Sequence, residues 1–402
     1  MANTIKHKRG TTDPAAGDLV VGELAINTTD GGVFTKTDGG SVVEVGAGGG
    51  GGLTYFTEAE STASPNDTVS VDSFTAAAST TNADIALVPK GSGALLGQIP
   101  DNATTGGNKR GAYATDWQRV RGAATDIAAG DYSTIGGGSY NFTTAAGSYA
   151  TITGGYNNEC TAQYATAGGE GADGDGETSV AFGKNLTAAA ISSVALGAAH
   201  YASGDYSAAI GGYATSAGGD HSAIIGSYIG YAQADHSIVL GGSRGQTGTV
   251  VGRCVIPACD SPVATTDWAS QSSILLCGRQ TTSATTTSLG SDSTTVDANN
   301  ILTLRNNSAF YVKGSCIAGV TGAGNTKAWT FEAVIKRGAS ASTTALVGSV
   351  IKNVIAYDSG AAAWDINVVA DTSLGGIRVE VTGAASTTIR WVTKFESTET
   401  AY

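Results

Sequence analysis

Residues 205–243 read DYSAAIGGYATSAGG, DHSAIIGSYIGYAQA and DHSIVLGGS, three runs that begin on Asp205, Asp220 and Asp235. The triplets Asp220-His221-Ser222 and Asp235-His236-Ser237 contain the residue types of a hydrolytic triad. The period around them decides against that reading. The glycine closing each apolar triplet recurs at Gly183, Gly197, Gly211, Gly226 and Gly241, in steps of 14, 14, 15 and 15, with weaker copies at Gly137, Gly154 and Gly169. Five residues earlier in each copy stand Tyr132, Tyr149, Tyr164, Thr178, Ser192, Tyr206, His221 and His236. A base whose place is filled by Tyr, Thr or Ser in neighbouring copies is not what the motif preserves. A triad match without its geometry is weak evidence, and repetition at a fixed period is read first as stacked structural units.

Each unit from about 130 to 246 offers one strand, a glycine turn and a short second segment such as YATSAGG. Fourteen or fifteen residues suffice for one coil of a parallel β-solenoid. Three successive positions are apolar in the strong copies: Val180-Ala181-Phe182, Val194-Ala195-Leu196, Ala223-Ile224-Ile225 and Ile238-Val239-Leu240. Alternate strand residues point to opposite faces, so both faces of this strand require burial. One fills the coil; the other calls for a second copy of the chain. At about 4.8 Å per coil the repeats give a stalk of roughly 40 Å.

The composition fits many short strands. The 402 residues include 58 glycines, and charged residues make up only 14%. The net charge of −12, with no basic stripe beyond Lys6-His7-Lys8-Arg9, argues against nucleic acid as a partner. Five cysteines without CxxC spacing support neither a zinc site nor a disulfide framework, and read as apolar fillers in a reducing cytoplasm. The N-terminal stretch has no apolar signal-like run, and nothing approaches a membrane span, so no membrane insertion is expected.

Along the chain, residues 1–46 alternate as strands with turn signals at Asp30-Gly31 and Asp38-Gly39. Residues 47–52 form a glycine linker, and 53–129 a neck with a short helix expected near 111–129. From 247 to 402 the period stops, and strands such as KAWTFEAVIKRG and TTIRWVTKFEST suggest an antiparallel β-sandwich. Trp329, Phe331, Ala333 and Ile335 share one face there and read as core, as do Trp364 and Trp391.

The coils SVAFG, SVALG, SAAIG, SAIIG and SIVLG resemble the left-handed parallel β-roll of trimeric autotransporter adhesin heads. The KRGTT run, the GELAIN strand and the DGG turns resemble the N-terminal attachment segment of bacteriophage tail fibres. The stretches PKGSGALLGQIPD and NKRGAYATDWQRVRGAA are similar to the shafts of fibres from phages infecting cyanobacteria. These resemblances imply an all-β, elongated homotrimer with an N-terminal β-hairpin adaptor, a central β-roll and a C-terminal sandwich. They imply a virion component assembled in the host cytoplasm. Residues 1–46 would hold a tail or baseplate protein, and the C-terminal region a host envelope polysaccharide or surface protein. The rival readings are a tailspike depolymerase and a fragment of a bacterial trimeric surface adhesin.

The candidate sites are few. Lys6, Lys8 and Arg9 suit an acidic tail surface. Glu170, Asp173, Asp175 and Glu177 in GEGADGDGE read as an acidic insertion between coils. They lack the downstream Glu of a calcium loop and the fixed separation of a glycosidase pair. Receptor contacts are expected in loops near 306–307, 322–325 and 358–361. The sequence contains no GxSxG, HExxH, P-loop or dinucleotide fingerprint. No catalytic residue, metal ligand or cofactor is assigned, and the chain is read as a non-enzyme.

Overall fold

The computed structural model describes residues 7–45, 56–61, 71–76, 82, 84–260, 262–263, 268–322 and 324–402. The chain divides into two units, Met1–Leu87 and Val88–Tyr402. The expected glycine linker at 47–52 lies outside the described residues.

In the first unit, strands Lys8–Gly10, Leu24–Asn27, Val33–Lys36 and Val42–Glu44 form one sheet in that order. The last three are antiparallel hairpin neighbours, while Lys8–Gly10 pairs in parallel with Leu24–Asn27. The first turn falls at the signalled Gly31, whose N donates to Asn27 O; the second spans Asp38-Gly39 and closes one residue later, where Gly40 N donates to Thr37 O. Leu19, Ala25 and Phe34 form the small core. Strands Phe56–Ser61 and Val71–Ala76 make a separate antiparallel pair.

The second unit opens with a β-solenoid whose first strand column is parallel and in register. Leu95 aligns with Thr115, then Thr134, Thr151, Thr166, Val180, Val194, Ala208, Ala223, Ile238 and Cys254. The rungs therefore begin before residue 130. The step is twenty residues from Leu95 to Thr115, fourteen from Thr166 to Ala208, and sixteen from Ile238 to Cys254. The helix expected near 111–129 is absent. That stretch holds the strand Thr115–Asp116 and rung-to-rung bonds such as Gly111 N to Ala128 O. A helix there would have to accommodate Gly111 and Gly122, and at Gly111 even a Cβ would meet the Gly130 carbonyl at 2.3 Å.

The interior shows how coil length sets side-chain size. From Thr134–Ile135 onward the central residue of each rung is fully buried. It is Ile135 and Ile152 early on, Ala167, Ala181, Ala195 and Ala209 in the shortest coils, then Ile224, Val239 and Val255 as the coils lengthen. A second inward column, Ala188, Ala202, Ala217 and Ala232, closes the opposite wall. The early rungs instead bury polar groups in mutual contact. Asp116 accepts from Arg110 Nε at 2.7 Å and from Arg121 Nη2 at 3.2 Å, and the Asn158 side chain donates to Asn141 at 2.8 Å.

At one corner of each coil a non-glycine residue takes a left-handed backbone. Tyr113, Tyr132, Tyr149, Tyr164, Thr178, Ser192, Tyr206, His221 and His236 all have φ between 53° and 61°. This conformation costs about 1–2 kcal/mol per residue for an L-amino acid. Several of the serines that follow turn back to close the corner: Ser133 Oγ donates to Gly130 O at 2.6 Å, and Ser237 Oγ to Ala234 O at 2.6 Å.

Beyond Cys254–Pro257 the sheet becomes antiparallel, running through Ser270–Thr281, Ile389–Ala401, Ser308–Val320, Thr326–Arg337 and Ile351–Tyr357. A second antiparallel sheet contains Thr287–Ser288, Leu302–Thr303, Asp365–Asp371 and Gly376–Thr382. The two enclose one core that includes Trp329, Phe331, Trp364, Trp391 and Phe395. Trp329, Phe331, Trp364 and Trp391 are the aromatics expected from alternation; Phe395 joins them. A buried ionic cluster ties the last solenoid rung to this region. Glu399 pairs with Arg253 and accepts from Ser273 Oγ at 2.5 Å, Ser397 Oγ at 2.5 Å and Gln271 Nε2 at 2.7 Å.

Candidate functional site

From Val180 onward the outward face of the solenoid strands is apolar rung after rung, after Thr115, Thr134, Thr151 and Thr166 in the earlier rungs. Val180, Val194, Ala208, Ala223, Ile238, Cys254 and Ile274 align in one column. Phe182, Leu196, Ile210, Ile225 and Leu240 form the next, two residues along. The inward residues between them are wholly buried, yet Ile225 is 47% exposed and Ile256 49%. Leu276, on the adjoining antiparallel strand, is also exposed. No charged side chain interrupts either column. Scattered surface hydrophobes are ordinary, but an aligned apolar surface running through many rungs is a mark of an interaction surface.

The two Asp-His-Ser triplets are taken apart by the fold. His221 and His236 point outward and stack on one another at 4.9 Å, while Ser222 and Ser237 are buried in the coil. The aspartates serve the backbone: Asp220 accepts from Asp205 N, and Asp235 from Asp220 N, each at 2.9 Å.

The acidic segment is not an insertion between coils. Residues 166–174 are one strand, Thr166–Gly174, paired along most of its length with Val180–Ala188. Glu170 pairs with Lys184 at 2.9 Å, and Asp175 accepts from Thr161 Oγ1 at 2.7 Å. Burial, followed by the charge of Asp175, pushes the Asp173 carboxyl up to about 6. Glu170 and Asp175 thus have separate partners, and of the four carboxylates only Asp173 and Asp175 act on one another. Among the described residues no group of His, Cys, Asp or Glu could hold a metal ion.

Of the three basic residues expected at the tail contact, Lys6 lies outside the described residues. Lys8 pairs with Glu23 at 2.8 Å and donates to Asp18 O at 2.5 Å, and Arg9 is exposed beside it. A small pocket of about 250 Å³ lined by Lys8, Arg9, Asp13 and Pro14 adjoins them.

The structure separates the three candidate receptor loops. Asn325 and residues 358–361 lie together: Asp358 Oδ2 accepts from Thr326 N at 2.8 Å, and the Asn325 side chain packs on Gly360. Residues 306–307 lie at the other end of the Ser308–Val320 and Thr326–Arg337 hairpin. There they border a cleft of about 540 Å³ lined in part by Arg253, Trp268, Arg305, Asn306 and Arg337. The Arg305 guanidinium lies over the Trp268 ring at 4.9 Å. The 306–307 loop was expected from sequence as a contact region; Trp268 and Arg337, which line the same cleft, come from distant segments and have no shared motif.

No family model matches this chain, and no curated protein matches it. Among solved structures, the tailspike protein of the Acinetobacter phage vB_ApiP_P1 aligns with 67% of this chain and 56% of its own. The identity is 10% and the TM-score 0.19. At that TM-score the likeness carries no argument about fold or function.

Proposed function

We propose that the chain is a homotrimeric phage tail fibre that binds the host surface without cleaving it. The observation that carries this reading is the pair of apolar columns on the outside of a solenoid whose interior is already full. Three copies packed on these columns would bury the exposed Ile210, Ile225, Leu240 and Ile256. Burial of apolar surface is favourable by about 25 cal/mol per Å². In this reading residues 1–46 attach to the tail, as their resemblance to fibre attachment segments implies, with Lys6, Lys8 and Arg9 facing an acidic partner. The C-terminal region meets the host envelope, and the cleft beside Asn306 and the loops 322–325 and 358–361 are its contact points. Several weak sites per trimer and several fibres per particle then give avidity without one tight site.

The test uses full-length protein added to host cells before phage challenge. A binding fibre competes and lowers phage adsorption, and incubation with host polysaccharide releases no new reducing ends. Release of reducing ends would replace this reading with that of a cleaving tailspike. Absence of competition would remove the receptor-binding role.

A further inference from the structure

The left-handed corner column is an aromatic ladder with one gap. Tyr113, Tyr132, Tyr149 and Tyr164 stack in sequence with ring centroids 4.9, 4.8 and 5.2 Å apart. Tyr206, His221 and His236 stack likewise at 5.1 and 4.9 Å. Between the two runs the column holds Thr178 and Ser192, whose hydroxyls are 2.7 Å apart. Within a run each ring shields the faces of its neighbours. At the gap the upper face of Tyr164 and the lower face of Tyr206 have no ring against them. Of the two rings that border the gap, Tyr206 is 57% exposed and Tyr164 48%, against 46% for Tyr149 inside its run. Three strand spacings separate the two rings, about 14 Å. Two positions of the column therefore carry no ring, bounded by Tyr164 on one side and Tyr206 on the other and lined by the two hydroxyls.

We infer that this gap is a binding site for a neutral pyranose-containing glycan. Pyranose rings are flat enough to lie against an aromatic face, and their C–H bonds present partial positive charge to the negative face of the phenol ring. Thr178 Oγ1 donates to Glu177 O at 2.6 Å and Ser192 Oγ donates to Thr178 Oγ1, so the two hydroxyl oxygens face a sugar as acceptors for its O–H groups. The residues preceding the four column positions are Gln163, Glu177, Ile191 and Asp205, with no cation among them. A carboxylated or sulfated sugar would meet the carboxylates of Glu177 and Asp205, the latter held by Ile191 N at 3.1 Å, so the site selects uncharged rings. The site does not depend on the fibre reading and lies away from the C-terminal loops.

The same backbone supplies the test. Thr178 and Ser192 have φ of 58° and 53°, the conformation that bears tyrosine in neighbouring rungs. The double substitution Thr178→Tyr with Ser192→Tyr completes the ladder and fills the gap without asking the chain for a new geometry. Saturation-transfer NMR would be run on the full-length protein with the methyl pyranosides of glucose, galactose and mannose, each separately, and with methyl glucuronide. Transfer is expected from tyrosine protons to the C–H protons of at least one neutral sugar, and weaker transfer to the glucuronide. In the filled variant the transfer falls at least tenfold while the melting temperature holds or rises. Should that variant fail to fold, Tyr164→Leu and Tyr206→Leu each remove one wall and are expected to lower the transfer likewise. Absence of transfer to all three neutral sugars, or transfer unchanged in the filled variant or in both wall variants, overturns the inference.

Discussion

Replacing Glu399 by Gln tests the joint between the solenoid and the antiparallel strands. The carboxylate is buried, pairs with Arg253, and accepts hydrogen bonds from Ser273, Ser397 and Gln271. Gln keeps the volume but removes the charge, leaving the Arg253 guanidinium buried without its counter-ion. Breaking one partner of a buried pair costs about 3–5 kcal/mol, so Glu399→Gln should lose stability on that scale in urea unfolding, with the slope against denaturant unchanged. Replacing Arg253 and Glu399 together by Met removes both charges and is expected to recover most of the loss. The pH dependence adds a second reading. Burial alone would raise the Glu399 carboxyl, but Arg253 and the three donors outweigh it and hold the group below its ordinary value. A depressed folded-state pKa contributes stability that is present above the unfolded value, near 4.5, and is lost as pH falls through the folded one. The acid limb of the wild-type stability profile should therefore flatten in Glu399→Gln. A loss under about 1 kcal/mol, within the range of an exposed ion pair, together with an unchanged acid limb, would refute the buried-cluster reasoning.

Asp173 has the opposite sign. Its carboxyl is raised to about 6, so the folded state holds its proton more tightly and stability falls as pH rises from about 4 to about 6. Asp173→Asn should raise the melting temperature at pH 7 and give no gain below pH 4, as read by calorimetry. Ala209→Leu adds bulk to a fully buried position in one of the shortest coils and should cost about 1–3 kcal/mol in chemical denaturation. All five cysteines are free, and the thiols of Cys160, Cys277 and Cys316 are pushed up to about 12, chiefly by burial. Thiol titration of native protein should therefore show a fast reaction at exposed Cys259 and a slower one at Cys254, the remaining three reacting only after denaturation.

The strong coils were legible because their signal is local: an apolar triplet, a closing glycine and a step of 14 or 15. The earlier rungs were not. Their strands are only two residues long, their steps run to twenty, and their interior holds Asp116, Gln118 and Asn141 where the pattern calls for hydrophobes. Polar residues inside a coil read as surface until their buried partners are known, and this led to the helix expectation at 111–129. The acidic segment misled for a related reason: strand alternation is masked when four of nine residues are glycine. The Arg253–Glu399 pair joins residues far apart in the chain, and no sequence pattern announces it. The column of Tyr, Thr, Ser and His was visible as a repeat, but its stacking and its gap required the left-handed corner.

A trimer requires the apolar columns to be covered by further copies of the same chain. Light scattering on a sizing column measures this directly for the full-length protein. The expected mass is three times 39.9 kDa. An Ile225→Asp with Leu240→Asp variant, charged on the outer face alone, should dissociate while keeping its β circular dichroism. A well-folded wild-type species at 39.9 kDa would contradict the trimer and with it the fibre.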